Sequence, residues 1–95
     1  MPQLSGTELA KALEQLPNWR VEDGTLVREM VFGSFPDAIR FVQQLAAIAE
    51  EAQHHPDIDI RYTRVRLGLV THDAGGITEK DAGLASKIDG LVRIR

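Results

Sequence analysis

The stretch SFPDAIRFVQQLAAIAEEAQ, residues 34–53, decides the fold because its apolar residues recur every three or four positions over five turns. Ser34 suits the N-cap position, and Pro36 and Asp37 suit the first turn of a helix. The pattern therefore predicts the longest helix of the chain. Its predicted buried stripe consists of Phe35, Ile39, Val42, Leu45, Ile48 and Ala49.

The sequence before this helix predicts another helix and a hairpin. Ser5 and Glu8 have the spacing of a capping box, which predicts a first helix over residues 6–15, ended by Pro17. Residues 19–32 then alternate between apolar and polar around an Asp-Gly pair. This alternation predicts two strands joined by a tight turn.

The sequence after the long helix predicts the same succession again. Residues 58–62 and 65–71 alternate, which predicts two strands, with Tyr62 half-buried in the sheet. AGGIT, residues 74–78, is expected to be a flexible connection. Thr78 is expected to cap a last helix with apolar residues at spacings of four and three.

The predicted order of elements is α-β-β-α-β-β-α. Hairpins separated by amphipathic helices predict a four-stranded antiparallel sheet with the helices on one face, a two-layer α+β sandwich. A length of 95 residues predicts a single domain, residues 1–95. The open sheet face or an edge strand is a natural place for self-association.

Composition and charge exclude several classes of function. A net charge of −3 without a run of Lys or Arg argues against direct binding of nucleic acid or of an anionic membrane surface. The chain has no cysteine, which rules out disulfides and thiolate chemistry. No signal peptide or membrane-length apolar run is recognisable, so a cytoplasmic location is expected.

All three histidines lie in one short part of the chain. His54 and His55 follow the long helix, and His72 follows the fourth strand. If the two loops meet, three imidazoles line one concave site, with Asp73 and Asp81 nearby. Imidazole titrates near neutrality, so one ring can accept a proton while another donates one, which suits the addition or elimination of water.

Other interpretations of these residues remain open from their spacing alone. A histidine at a helix C-terminus often caps carbonyls, and three imidazoles can bind zinc, although adjacent histidines rarely converge on one ion. Glu50, one turn before His54, would orient that ring or be a solvated acid. Asp81, three residues after Thr78, would be a helix-start residue or part of the site.

These residues together resemble a known family. Glu50, three further residues, His54-His55-Pro56, the aromatic Tyr62, His72 and Asp81 have the spacing of the pterin-4a-carbinolamine dehydratase motif. The stretch LPNWRVEDGTLVREMVFGSFPDAIRFVQQLAAIAEEAQHHP, residues 16–56, is also similar to that family. The resemblance covers nearly the whole chain.

The resemblance implies a hydro-lyase that needs no metal or redox cofactor. It would remove water from 4a-hydroxytetrahydropterin, giving quinonoid dihydropterin, and so recycle the pterin cofactor of aromatic amino acid hydroxylases. The implied partners are the pterin substrate, a pterin-dependent hydroxylase and further copies of the chain in a homodimer or homotetramer. Animal members also act as dimerisation cofactors of a transcription factor, so a protein-binding regulatory module is the alternative.

The resemblance also implies roles for individual residues. His54 and His72 would form the acid/base pair and His55 would hold the substrate, while Glu50 and Asp81 coincide with motif positions. The residues implied to line the pterin site beside them are Gln53, Thr71 and Asp73. The sequence departs from the family pattern at Ile58, where several members have tryptophan, so less stacking surface for a flat heterocycle is expected there.

Overall fold

A computed structural model describes residues 2–93 and has the predicted α+β architecture. The helices are α1 (Gly6–Glu14), α2 (Phe35–Ala52) and α3 (Glu79–Arg93), and the strands are β1 (Arg20–Glu22), β2 (Thr25–Val31), β3 (Asp57–Arg61) and β4 (Arg64–Leu69). All strand pairs are antiparallel, in the order β1-β2-β4-β3. The predicted order of elements is confirmed. Among the described helices, none is long and apolar enough to cross a membrane.

The predicted start signals of the first two helices are confirmed. The Ser5 hydroxyl accepts a hydrogen bond from the Glu8 N–H at 3.1 Å, and the Glu8 carboxylate accepts one from the Ser5 N–H at 2.7 Å. Ser34 accepts one from the Asp37 N–H at 3.2 Å. These bonds use N–H groups that have no partner within the helix, so short-range sequence is enough to start both helices.

The core lies between the helices and one face of the sheet. Its fully buried members include Leu26, Leu67, Phe41 and Ile88, which come from β2, β4, α2 and α3. Alternate residues of β4 are buried, as the period of two predicts. The side chains of four different elements therefore meet in a single layer above the sheet.

The predicted buried stripe of α2 is only partly right. Leu45 and Ala49 are buried, but Phe35 is 46% exposed and the deepest positions of the first turns are Ala38 and Phe41. Apolar residues occupy more than one side of this helix, so periodicity alone does not show which side packs. The small side chain of Ala38 faces the core, so bulkier neighbours lie at the edges of the contact.

Two loop predictions are wrong for reasons of tertiary structure. Tyr62 lies in the turn between β3 and β4 with φ 56° and is 75% exposed, because Arg61 and Arg64 already form the last pair of the ladder. The AGGIT segment is packed rather than flexible. Gly76 pairs with Thr71, and the Ile77 carbonyl accepts a hydrogen bond from the Leu4 N–H at 2.9 Å.

A buried polar cluster joins α3 to the sheet. Asp89 of α3 accepts a hydrogen bond from the Trp19 indole N–H at 2.8 Å and forms an ion pair with Arg28 of β2 through the same oxygen. The side chains of Arg28 and Asp89 are each only 11% exposed. Removing one partner of such a pair leaves the other charge buried and uncompensated.

We therefore expect Asp89→Ala to lower the free energy of unfolding by about 3–5 kcal/mol, because it leaves both the Arg28 charge and the Trp19 N–H unpaired. Urea denaturation measures this effect. The matched control is Asp59→Ala, which removes an exposed pair with Arg61 and should cost below about 1 kcal/mol. Equal losses in the two variants would contradict a structural role for the buried cluster.

The sheet face away from the helices carries a network of exposed charges. Arg20 pairs with both Glu22 and Glu29, and Arg66 donates to Glu22 at 2.9 Å. The hydrogen bond from Arg66 is the main cause that lowers the pKa of Glu22, and the bond from Arg20 does the same for the pKa of Glu29. These carboxylates therefore stabilise the fold when ionised.

This pKa shift predicts how stability depends on pH. Because the folded-state pKa of Glu29 lies below its unfolded value of 4.5, its contribution is fully present above about pH 4.5 and is lost as the pH falls through the folded value. Urea midpoints of the wild type and of Glu29→Gln should differ at neutral pH and converge in acid. Glu14→Gln, an exposed helical control, should show no such convergence, and a pH-independent difference for Glu29→Gln would refute the prediction.

Candidate active site

The three histidines lie around one cleft at the end of the sheet where α2 ends, β4 ends and α3 begins. The cleft has a volume of about 320 Å³. We call it the histidine cleft, and the residues that line it are Gln53, His54, His55, Val70, Thr71, His72, Asp73 and Lys80. The structure thus brings together the two loops that carry imidazoles, as the sequence predicts.

A reversal of the backbone at the end of α2 separates the two adjacent histidines. Gln53 has the left-handed conformation, with φ 54° and ψ 40°, and its N–H donates to the Glu50 carbonyl at 3.1 Å. The His54 N–H donates to the Ala49 carbonyl at 3.1 Å. The backbone itself therefore satisfies these helix-end carbonyls, and the imidazoles are not needed as caps there. The His54 side chain is 11% exposed, whereas that of His55 is 66% exposed.

The buried side chain of Asp81 holds the imidazole of His54. One Asp81 carboxylate oxygen lies 2.5 Å from His54 Nε2, and the carboxyl group is completely buried. The other oxygen accepts hydrogen bonds from the Thr71 hydroxyl and from the Thr78 N–H, both at 2.8 Å. The two sequence interpretations of Asp81 are thus compatible. The same carboxylate accepts the Thr78 N–H at the start of α3 and orients the imidazole of His54.

This arrangement determines which nitrogen of His54 is available for chemistry. An ionised carboxylate can only accept hydrogen bonds, so the proton between the two groups belongs to Nε2 of a neutral ring. Nδ1 then keeps its lone pair. Nδ1 is therefore the nitrogen of His54 that has a lone pair available for a hydrogen bond or a proton.

Glu50 does not contact His54, which was one of the two interpretations that its spacing left open. Its carboxylate lies 2.8 Å from His55 Nε2, and the two side chains are 75% and 66% exposed. The expected contact with His54 is wrong because the left-handed turn at Gln53 carries His54 inward and leaves His55 beside the last turn of α2. Glu50 therefore reaches the cleft only through His55.

A second part of the cleft lining directly follows β4. His72 and Asp73 begin a single 3₁₀ turn, His72–Ala74, which Gly75 closes with φ 73°. Both side chains are exposed along the cleft. Thr71 lies deeper, and its hydroxyl bonds to Asp81 and to Thr78, so it supports the carboxylate.

The lining of the histidine cleft contains two residues that the motif does not include, and it lacks one residue that the sequence comparison considered. Val70 and Lys80 line the histidine cleft, although neither was predicted. The signal for Lys80 was its place in the first turn of α3 beside Asp81, where a positive charge is unfavourable to the helix. Ile58 lies opposite Leu67 on the edge strand β3 and does not line the cleft, so the chain itself offers no wall to a bound ring at that position.

Two of the histidines each contact a carboxylate rather than pointing together at one position. His54 is bound to Asp81, and His55 is bound to Glu50. Within residues 2–93, no group of three or more histidine and carboxylate side chains is placed to hold a metal ion. The chemistry that this arrangement supports is proton transfer between a buried carboxylate-bound imidazole and an exposed one.

Comparison with known proteins agrees with the motif. The family model for pterin 4 alpha carbinolamine dehydratase matches residues 2–91. A putative pterin-4-alpha-carbinolamine dehydratase of Chloroflexus aurantiacus is 55% identical over 92 residues, which cover 97% of this chain and 99% of that protein.

Solved structures are similar as well. A crystal structure described as a transcriptional coactivator/pterin dehydratase from Brucella melitensis superposes with a TM-score of 0.90 at 34% identity, covering 94% of this chain and 97% of the other. A pterin dehydratase-like protein described as a RuBisCO assembly factor in the alpha-carboxysome has a TM-score of 0.63 at 28% identity, covering 77% and 84%. Similarity over nearly the whole length shows that this chain belongs to the pterin-4a-carbinolamine dehydratase family of hydro-lyases.

Proposed function

We propose that the histidine cleft dehydrates 4a-hydroxytetrahydropterins to quinonoid dihydropterins, with His54 and His72 as the acid/base pair. The observation that carries this proposal is the buried contact between His54 Nε2 and Asp81, 2.5 Å long, in the wall of a cleft that His72 also lines. Family membership supports the reaction class. The assignment of each proton transfer is our inference from the geometry.

The reaction needs one proton donor and one proton acceptor. The C4a–O bond breaks as the leaving hydroxyl takes up a proton and departs as water, while the proton on N5 is removed. The electron pair of the N5–H bond then forms the C4a=N5 double bond. The sum is the loss of one water molecule, so no electrons are exchanged with a further reactant.

His54 is suited to be the base at N5. Its Nδ1 is available, and the Asp81 carboxylate stabilises the imidazolium that forms when the proton arrives. His72 lines the same cleft and is exposed, so it is suited to protonate the leaving hydroxyl. For the opposite stereoisomer at C4a, the same two imidazoles exchange these roles.

The remaining lining residues are suited to hold the pterin. His55, held by Glu50 through Nε2, lines the cleft and has a second ring nitrogen that can bond to a ligand. Gln53 and Asp73 add an amide and a carboxylate that can bond the N–H and C=O groups of the pyrimidine edge. Thr71 acts through Asp81, because its hydroxyl donates a hydrogen bond to that carboxylate.

The physiological setting follows from the substrate. A 4a-hydroxytetrahydropterin is what an aromatic amino acid hydroxylase leaves after using its cofactor, so the reaction recycles that cofactor and a hydroxylase is the implied partner. We also propose that the chain associates with copies of itself, since β1 and β3 are edge strands with unpaired outer backbone groups.

A protein-binding role is the second candidate. The Brucella melitensis structure is described as a transcriptional coactivator as well as a pterin dehydratase, and the alpha-carboxysome relative is described as an assembly factor. A docking role would not depend on imidazole chemistry. Variants at His54 and His72 that lose turnover but keep a stable protein partner would therefore separate the two functions.

We expect His54→Ala to lower kcat by about 10²- to 10⁴-fold, which is the usual contribution of a positioned acid or base. Asp81→Asn should lower it by about 10- to 100-fold, because the amide no longer holds Nε2 protonated. Stopped-flow absorbance of freshly made 4a-hydroxytetrahydropterin measures the rate above the uncatalysed decay. Circular dichroism checks folding, and rates equal to the wild type would overturn the assigned roles.

A separate prediction concerns Glu50, which contacts the cleft only through His55. Glu50→Gln should raise KM severalfold with little change in kcat, since it loosens the residue that holds the pterin and leaves the acid/base pair in place. The matched control is Glu51→Gln, at the neighbouring exposed position of α2. If both variants behave alike, the contact between Glu50 and His55 has no part in binding.

A further inference from the structure

A second, smaller cleft adjoins the histidine cleft between the end of α2 and the first turns of α3. Its volume is about 160 Å³. We call it the lysine cleft, and the residues that line it are Ala52, His54, Glu79, Lys80, Gly83, Leu84 and Lys87. It shares His54 and Lys80 with the histidine cleft, so these two side chains form the partition between the two spaces.

The lining of the lysine cleft carries one more positive than negative charge. Lys80 and Lys87 lie two helical turns apart on the same side of α3, and Glu79 is the one acid in its lining. Within residues 2–93, the ammonium groups of the two lysines make no ion pair or hydrogen bond, and only the Lys80 backbone N–H is bonded, to Thr78. The lining therefore favours an anion.

Gly83 is the second observation that points to a ligand. It lies between the two lysines on the same side of the helix, and a Cβ atom built there would meet no heavy atom within 4 Å. A glycine inside a helix costs about 0.5–1 kcal/mol relative to alanine. Packing of this chain does not require the glycine, and the absence of a side chain at this position leaves the lysine cleft open above the helix.

The chemistry of the proposed reaction connects the two clefts. In a pterin ring, N5 is bonded both to the reacting carbon C4a and to C6, which carries the variable substituent. If N5 faces His54, the C6 substituent leaves the ring directly beside His54. In that orientation, His54 has the C4a–O bond that breaks on the side of the histidine cleft. The C6 substituent lies on the side of the lysine cleft.

We propose that the lysine cleft binds a negatively charged C6 substituent, a phosphate or a carboxylate, so that the preferred substrate is an anionic pterin. This inference rests on the proposed function, since it places N5 at His54. Lys80 and Lys87 are the specificity-determining residues, and Gly83 keeps the space open. A neutral substituent also enters the cleft but gains no attraction there.

The test compares three freshly prepared 4a-hydroxytetrahydropterins with the same ring. One carries a neutral 6-methyl group, one a 6-hydroxymethyl phosphate and one a 6-substituent that ends in a carboxylate. We expect kcat/KM of the wild-type protein to be higher for one or both anionic substrates than for the neutral one. A preference for the phosphate or for the carboxylate identifies the source of the charge.

The variants assign this preference to the lysine cleft. Lys87→Met should reduce the ratio of anionic to neutral kcat/KM by about fivefold, the size expected for one exposed ion pair. Gly83→Leu should fill the cleft and discriminate against both longer substituents relative to 6-methyl, whereas Gly83→Ala leaves most of the space open. The matched control is Lys11→Met, an exposed lysine of α1 that lines neither cleft and should leave all three rates unchanged.

Each outcome has a separate meaning. If no carbinolamine is turned over faster than its spontaneous decay, the proposed function fails and the inference fails with it. If the neutral and anionic substrates have equal kcat/KM, the dehydratase assignment stands and the anionic preference is wrong. An anionic preference that survives in both Lys87→Met and Gly83→Leu would also overturn the inference, because the charge would then be read elsewhere.

Discussion

The buried carboxylate of Asp81 is the constraint on which the candidate site depends. A carboxylate removed from water is costly unless it is bonded, and Asp81 is bonded to His54, to the Thr71 hydroxyl and to the Thr78 N–H. These partners come from the end of α2, the end of β4 and the start of α3. One side chain therefore holds three chain segments together and orients the imidazole between them.

Helix α3 is attached to the rest of the fold by two acids with different consequences. Asp81 at its first turn faces a cleft and leaves one nitrogen of an imidazole free for proton transfer. Asp89, two turns further on, is buried against Trp19 and Arg28 and lines neither the histidine cleft nor the lysine cleft. The ion pair of Asp89 with Arg28 thus helps to fix the position of the helix. The pair of Asp81 with His54 can therefore leave one ring nitrogen of His54 without a partner in the fold.

The two adjacent histidines have different surroundings because of the backbone geometry between them. The left-handed residue Gln53 sends His54 to the interior and His55 to the surface. The inner ring acquires a buried carboxylate partner and the outer ring an exposed one. The inner ring also lines both the histidine cleft and the lysine cleft.

The sequence by itself determined the order of elements, the helix starts, the alternation of β4 and most of the residues that line the histidine cleft. These features depend on periodicity, on capping within three or four residues and on a motif with a specific spacing. Only the tertiary structure decided which side of α2 is buried, that Tyr62 lies in a turn, that Glu50 contacts His55 and that Lys80 and Gly83 border a cleft. These outcomes depend on contacts between segments distant in the chain or on the direction of one backbone reversal, and local sequence preferences do not encode either.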